Sequence, residues 1–230
     1  MGIGRQKIEM KMDKREWTNS SIVLMMIGML QFIYIVYLEL KNYLSILNSD
    51  VATDLMLAEE LAHSGDILIS SNFVYTTELH VLHTQIIQSL LFCFTSSYKK
   101  VFILSFIIHT ILISICMLVL VKYISKSISA GITAVILLLI PSGEFYMWIF
   151  QQQSYLAYLL YSLLFFVLYF TLSAEGNNRK TITLASGLLW ILLSFFMGLS
   201  GMRYFPVTVI PIVIYEFIMF LYNSNFAHRF

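Results

Sequence analysis

The sequence predicts an all-α, polytopic membrane helical bundle of about six transmembrane helices, with amphipathic juxtamembrane helices in the first outside loop. Three observations carry that prediction. First, hydrophobic residues make up 59% of the 230 residues, charged residues 12%, and mean hydropathy is +0.80. Soluble domains hold about 45–50% apolar and ~25% charged residues. Second, six apolar stretches are long enough, or nearly so, to cross hydrocarbon as helices, which takes about 20 residues because every backbone amide must be bonded internally. Third, Lys and Arg fall unevenly among the connecting segments. The same composition sets other classes aside. With 14 basic against 13 acidic residues the net charge is +1, too little for a nucleic-acid partner. Two cysteines cannot staple a disulfide scaffold, and Cys93 and Cys116 read as small apolar side chains.

In chain order, residues 1–19 form a basic tail and 20–40 the first span, an uncleaved signal anchor because no small-residue cleavage site follows it. Residues 41–100 make one large loop. Residues 101–222 hold five further spans, centred near 111, 134, 164, 190 and 214, and 223–230 form a short cytoplasmic end. The stretches free of Asp, Glu, Lys and Arg are Trp17–Leu38, Val101–Val121, Ser127–Gly143, Phe145–Ala174 and Thr181–Met202, with Tyr204–His228 broken only by Glu216. Glu78–Phe94 is apolar too, but studded with His80, His83, Gln85 and Gln88. Positive charge arbitrates, because cytoplasmic flanks collect Lys and Arg. If Glu78–Phe94 does not span, ten basic residues (5, 7, 11, 14, 15, 122, 126, 179, 180 and 229) oppose four, Lys41, Lys99, Lys100 and Arg203. If it spans, the split is eight against six. The first arrangement is favoured. It puts the amino terminus in the cytoplasm and lays Glu78–Phe94 on the outer leaflet. Pro206 and Pro211 predict a bent or broken last helix.

The large loop holds Asp50, Asp54, Glu59, Glu60, Asp66 and Glu78, six of the 13 acids. Ser49-Asp50 opens an amphipathic helix over Val51–Ala62 that Ser64-Gly65 ends. Asp50 then sits at or next to the N-cap, with Asp54 one turn on and on the same face. Solvated acids on a capped surface helix fit that pattern as readily as a site does. Pro141–Ser154 is a second outside segment, with Glu144, the interface aromatics Phe145, Tyr146 and Trp148, and then Gln151, Gln152 and Gln153. Arg203 stands at the outer end of a later span. Glu216, near the middle of the last span, costs several kcal/mol unless paired or neutral, and reads equally as a functional group or as polar glue between helices.

Taken together, a basic tail and one span lead to Ser49-Asp50-Val51-Ala52-Thr53-Asp54, then to Gly65-Asp66, and then to the aromatic run Asn72-Phe73-Val74-Tyr75. A helix, two closely spaced spans and a second outside loop with an acid follow. This order resembles the amino-terminal half of the polytopic GT-C glycosyltransferases, in particular the dolichyl-phosphate-mannose–protein mannosyltransferase-like members. The run Tyr75-Thr76-Thr77-Glu78-Leu79-His80-Val81-Leu82-His83-Thr84-Gln85 is similar to bacterial membrane proteins classed near them. The resemblance implies a catalytic role for Asp50, which has Gly65 at the family's spacing, and it puts Glu144 in the place of the second-loop acid. The chain departs from the pattern at Val51, where many relatives carry a second acid, and at His83-Thr84-Gln85, where Pro-Pro-Leu is common. Relatives run well beyond six spans, so the resemblance implies a truncated or inactive form, or a fragment.

Its further implication is a sugar donor on a polyprenyl phosphate within the membrane lipid, and an extracytoplasmic acceptor. Asp50 would serve as base or acceptor-orienting acid, with Asp54 or Glu144 as partner. Arg203 would hold the departing phosphate, with Lys99 and Lys100 as alternatives. His80 and His83, three apart on one helix face, would contact phosphate or sugar, or simply pack. A carboxylate pair also suits Mg²⁺ or Mn²⁺, on which relatives differ, so the cofactor stays open. The small residues Gly187, Ser194, Gly198 and Gly201 permit a groove for the prenyl tail. The competing class is a transporter or a cell-envelope assembly subunit. A transporter would carry polar groups at mid-membrane depth on several spans, whereas here His109, Glu216 and scattered Ser and Thr do.

Overall fold

A computed structural model of the chain describes residues 19–66, 68–75, 81–142, 146, 150, 153–173 and 180–227. These residues form helices α1 (Asn19–Ile46), α2 (Ser49–Ser64), α3 (Gln85–Phe92), α4 (Tyr98–Ser125), α5 (Ile128–Leu138), α6 (Ser154–Ser173), α7 (Lys180–Ser200) and α8 (Ile210–Ala227). A π-helical turn, Phe205–Val209, leads into α8. No strand occurs among the described residues. Local chemistry explains the boundaries. The Asn48 side chain accepts the Val51 amide at 2.9 Å to start α2, and Gly65 ends it at φ 79°, a left-handed value that glycine adopts without strain. Ser127 caps α5 in the same way. Pro206 in the first turn and Pro211 beyond it remove two backbone donors, and the backbone responds with the π turn.

Helix α4 is the centre, touching α5, α6, α3 and α1. The Ser21 and Ser129 hydroxyls, 2.9 Å apart, join the start of α1 to the start of α5. Tyr43, late in α1, meets Phe102, early in α4, edge to face at 5.4 Å. Gln153, just before α6, reaches the Phe102 carbonyl, and Ser200, ending α7, reaches Leu82. One end of the bundle therefore gathers the end of α1, α2, α3, the starts of α4 and α6 and the end of α7. Lys99, Lys100 and Arg203 belong to that end, and Lys122 and Lys126 lie at the other end of α4.

Three helices, Ser20–Ile46, Tyr98–Ser125 and Tyr155–Leu172, are long and apolar enough to cross a membrane, and three shorter apolar helices accompany them. The chain is thus a membrane-associated helical bundle. Its core joins Ile35, Phe106, Ile113, Leu139, Phe150, Leu156 and Leu160 from α1, α4, α6 and the α5–α6 connection. A second cluster, Tyr43, Val51, Leu55, Ala58, Phe92 and Phe102, fastens α2 and α3 onto α4.

Four expectations change. The first helix runs on to Ile46, past residue 40. Of Glu78–Phe94 only Gln85–Phe92 is a described helix, and its face of Gln85, Gln88 and Phe92 is buried in the bundle. Asn48, not Asp50, is the N-cap of α2. The Pro141–Ser154 segment is no simple interface belt, because Tyr146, Phe150 and Gln153 are buried in the core. Residues 1–18, Glu78, His80, Glu144, Phe145, Trp148, Gln151, Gln152, Arg179 and Arg229 lie outside the described residues.

Candidate functional site

Helix α2 buries Val51, Asp54, Leu55, Leu57, Ala58 and Leu61. That spacing of three, four and seven makes one face, turned to α3 and α4. Asp54 sits on this face, only 7% exposed. Asp50, about 40° away around the helix, is exposed, with Ser49 Oγ at 3.4 Å from its Oδ1. The two acids keep the one face expected of them but differ in burial, Asp54 in and Asp50 out.

The partner of Asp54 is His83, 2% exposed, with Nδ1 at 3.5 Å from Asp54 Oδ2 and 3.2 Å from Thr84 Oγ1. A separation of 3.5 Å is longer than an ordinary N–H···O hydrogen bond. His83 lies in the non-helical stretch before α3, and His80, expected to share a helix face with it, lies outside the described residues. Its place is set from far along the chain. The Leu82 amide donates to Ser200 Oγ at 2.7 Å, and the Tyr204 hydroxyl donates to the Leu82 carbonyl at 2.9 Å.

One ring joins these parts. Tyr158, on the first turns of α6, meets the His83 ring edge to face at 5.5 Å and the Tyr204 ring at 4.8 Å. The Arg203 guanidinium lies 5.7 Å from the same ring centroid, within cation–π range. Beneath Tyr204 runs an apolar groove of about 460 Å³ between α6, α7 and α8, lined by Phe165, Trp190, Gly198, Tyr204, Thr208 and Val213 among others. Ser194, Gly198 and Gly201, three of the four small residues that predict a groove, line it. Gly187 instead meets Leu172 of α6.

Two further polar groups lie deep in the bundle. Glu39 is 0% exposed, accepts a hydrogen bond from the Tyr146 hydroxyl at 3.0 Å, and has a second oxygen with no hydrogen-bond partner among the described residues. Burial, and then the adjacent Glu39, push the Tyr146 phenol well above its ordinary range, so it remains a donor. Gln153, buried, holds φ at 47° and donates from Nε2 to the Phe102 carbonyl at 3.1 Å. A non-glycine residue there is strained, a feature concentrated at functional sites.

The structure therefore brings His83 and Arg203 together around Tyr158, with Asp54 joined to them through His83. Asp50 stays at the surface, Lys99 lies 5.7 Å over the Tyr43 ring, and Lys100 is exposed. Glu144 and His80 lie outside the described residues. No group of three or more His, Cys, Asp or Glu placed to hold a metal ion occurs among the described residues. Sequence reasoning missed Tyr158, Tyr204, Ser200 and Glu39. Tyr204 was findable as the neighbour of Arg203, whereas Tyr158 sits in a Leu- and Tyr-rich run that looks like any apolar helix. No protein-family model, curated protein or solved structure matches the chain.

Proposed function

We propose that the chain crosses the membrane six times with its amino terminus in the cytoplasm. We propose further that it works as a GT-C-type glycosyltransferase, moving a sugar from a polyprenyl phosphate to an extracytoplasmic hydroxyl. The observation that carries this reading is continuity through Tyr204. That residue lines the apolar groove while its ring lies on Tyr158, the ring shared by His83 and Arg203. A lipid phosphate matches this arrangement, with a tail for the groove and an anionic head for the guanidinium beside Tyr158.

In the reaction, the acceptor oxygen attacks the anomeric carbon and the bond from that carbon to the phosphate oxygen breaks. The hydroxyl proton passes to the Asp54–His83 pair, and the leaving polyprenyl phosphate keeps the bonding electrons beside Arg203. Asp50, on the exposed first turn of the same helix, orients an acceptor arriving from water. Lys99 and Lys100 add positive charge at that end. The test is sugar transfer from a radiolabelled polyprenyl-phosphate donor by the full chain in proteoliposomes. Asp54→Asn should lower turnover by about 10²–10⁴-fold, and Arg203→Gln should lower kcat, while Asp50→Asn loses far less than Asp54→Asn. Wild-type turnover in Asp54→Asn would remove the assignment.

A second reading, a transporter or an envelope-assembly subunit, is favoured by one observation: Glu39 and His109 are both fully buried in α1 and α4. Lipid-phosphate binding without sugar transfer in the same assay would select it.

A further inference from the structure

We infer that Tyr169 and Glu216 form a latch that holds the last helix over the groove, and that the groove takes a single lipid chain sideways from the bilayer when this latch opens. The inference rests on reading the groove as a lipid-phosphate site. Helix α8 continues from the π turn, which packs on α6, and every residue from Val213 to Leu221 is exposed. It is an arm that also meets α6 where the Phe170 and Tyr215 rings lie 6.1 Å apart, edge to face. Midway along it, the Glu216 carboxylate accepts a hydrogen bond from the Tyr169 hydroxyl on α6. A carboxyl group facing hydrocarbon demands a partner, so this bond, beside the Phe170–Tyr215 ring contact, opposes swinging α8 outward.

The other end of the arm is built to bend. Prolines and π turns are where helices kink, and Pro206, Pro211 and the π turn Phe205–Val209 all occur there. Phe205, Thr208, Val209, Ile212 and Val213, which border the groove, belong to this hinge and to the first turn of α8, so its motion changes the groove directly. The groove's roughly 460 Å³ is about three times the ~150 Å³ apolar cavity that accommodates one benzene. That space suits the first few isoprene-sized units of one chain. Glu216 thereby has a role as the closing element of a chain-binding slot.

The test uses the full chain in lipid nanodiscs, with Trp17→Phe and Trp148→Phe leaving Trp190, which lines the groove, as the sole tryptophan. The probe is farnesyl phosphate, with farnesol and inorganic phosphate run beside it. Farnesyl phosphate should change Trp190 emission saturably, and Tyr169→Phe and Glu216→Gln should each speed both its arrival and its departure several-fold. In a Cys93→Ser, Cys116→Ser background, Tyr169→Cys with Glu216→Cys, bridged by a short cleavable cross-linker, should block uptake until the bridge is reduced. Gly198→Leu, whose Cβ meets nothing within 4 Å, should stay folded and lose uptake. Unchanged rates in both latch variants, uptake by the bridged chain, or a saturable signal from inorganic phosphate alone would overturn the inference. Farnesol binding as tightly as farnesyl phosphate, with rates still set by the latch, would keep the latch and count against the phosphate-lipid reading.

Discussion

Gly131 and Gly198 are both helical glycines, in opposite halves of the bundle. A Cβ at Gly131 would come within 3.0 Å of the Leu118 carbonyl oxygen and 2.9 Å of Leu118 Cδ1, whereas at Gly198 it would meet nothing within 4 Å. The first glycine lets α5 lie directly on α4, and the second leaves a space open. The half built from α1, α4 and α5 is thus packed to contact, with Glu39 and Tyr146 sealed inside it. The half built from α6, α7 and α8 keeps an apolar groove, closed by rings and single hydrogen bonds. Close packing suits a fixed scaffold, and the looser half is where a ligand and movement are accommodated.

The largest stability effect should separate the two halves outright. Phe106→Ala, deleting a fully buried ring of the packed half, should cost about 3–5 kcal/mol, while Phe195→Ala on the exposed face of α7 should stay within about 0.5 kcal/mol. Thermal unfolding in detergent, followed by thiol labelling of half-buried Cys116, reads both. Next, Gly131→Ala should lower stability by about 1–3 kcal/mol because backbone must give way, and Gly198→Ala should leave it unchanged. Equal responses from the two glycines would erase the contrast. Tyr146→Phe strands Glu39 in the core and should cost about 1–3 kcal/mol. Among the variants expected to destabilise, Tyr204→Phe loses least, about 0.5–1.5 kcal/mol for the bond to the Leu82 carbonyl, yet it should reduce sugar transfer by displacing His83.

The helical bundle was legible because the length and charge of apolar stretches act locally: each of the six apolar stretches holds a helix where described. The α2 end was legible for the same reason, since Gly65 adopts at no steric cost the left-handed φ at which helices commonly stop. Asn48 was passed over because Asp50 and Ser49 are equally good caps, and only backbone geometry chooses among them. The site was half legible. Asp54, His83 and Arg203 stood out by type, but choosing Asp54 over Asp50 needed the packing of α2 on α3, which no spacing rule contains. Tyr158 and Glu39 depended wholly on which face of an apolar helix turns inward. With α1 and α6 apolar on nearly all sides, periodicity carries little information there.

The two bonds that fix Leu82 cross 118 and 122 residues of chain. At a ribosomal pace of about 5–20 residues per second, Ser200 follows Leu82 by ~6–24 s. During that interval α1, α2 and α4 can already associate, while the backbone beside His83 has no fixed position. The pairing of that histidine with Asp54 is therefore a late event in biosynthesis, completed only when the close of α7 reaches the end of the bundle that holds α2 and α3.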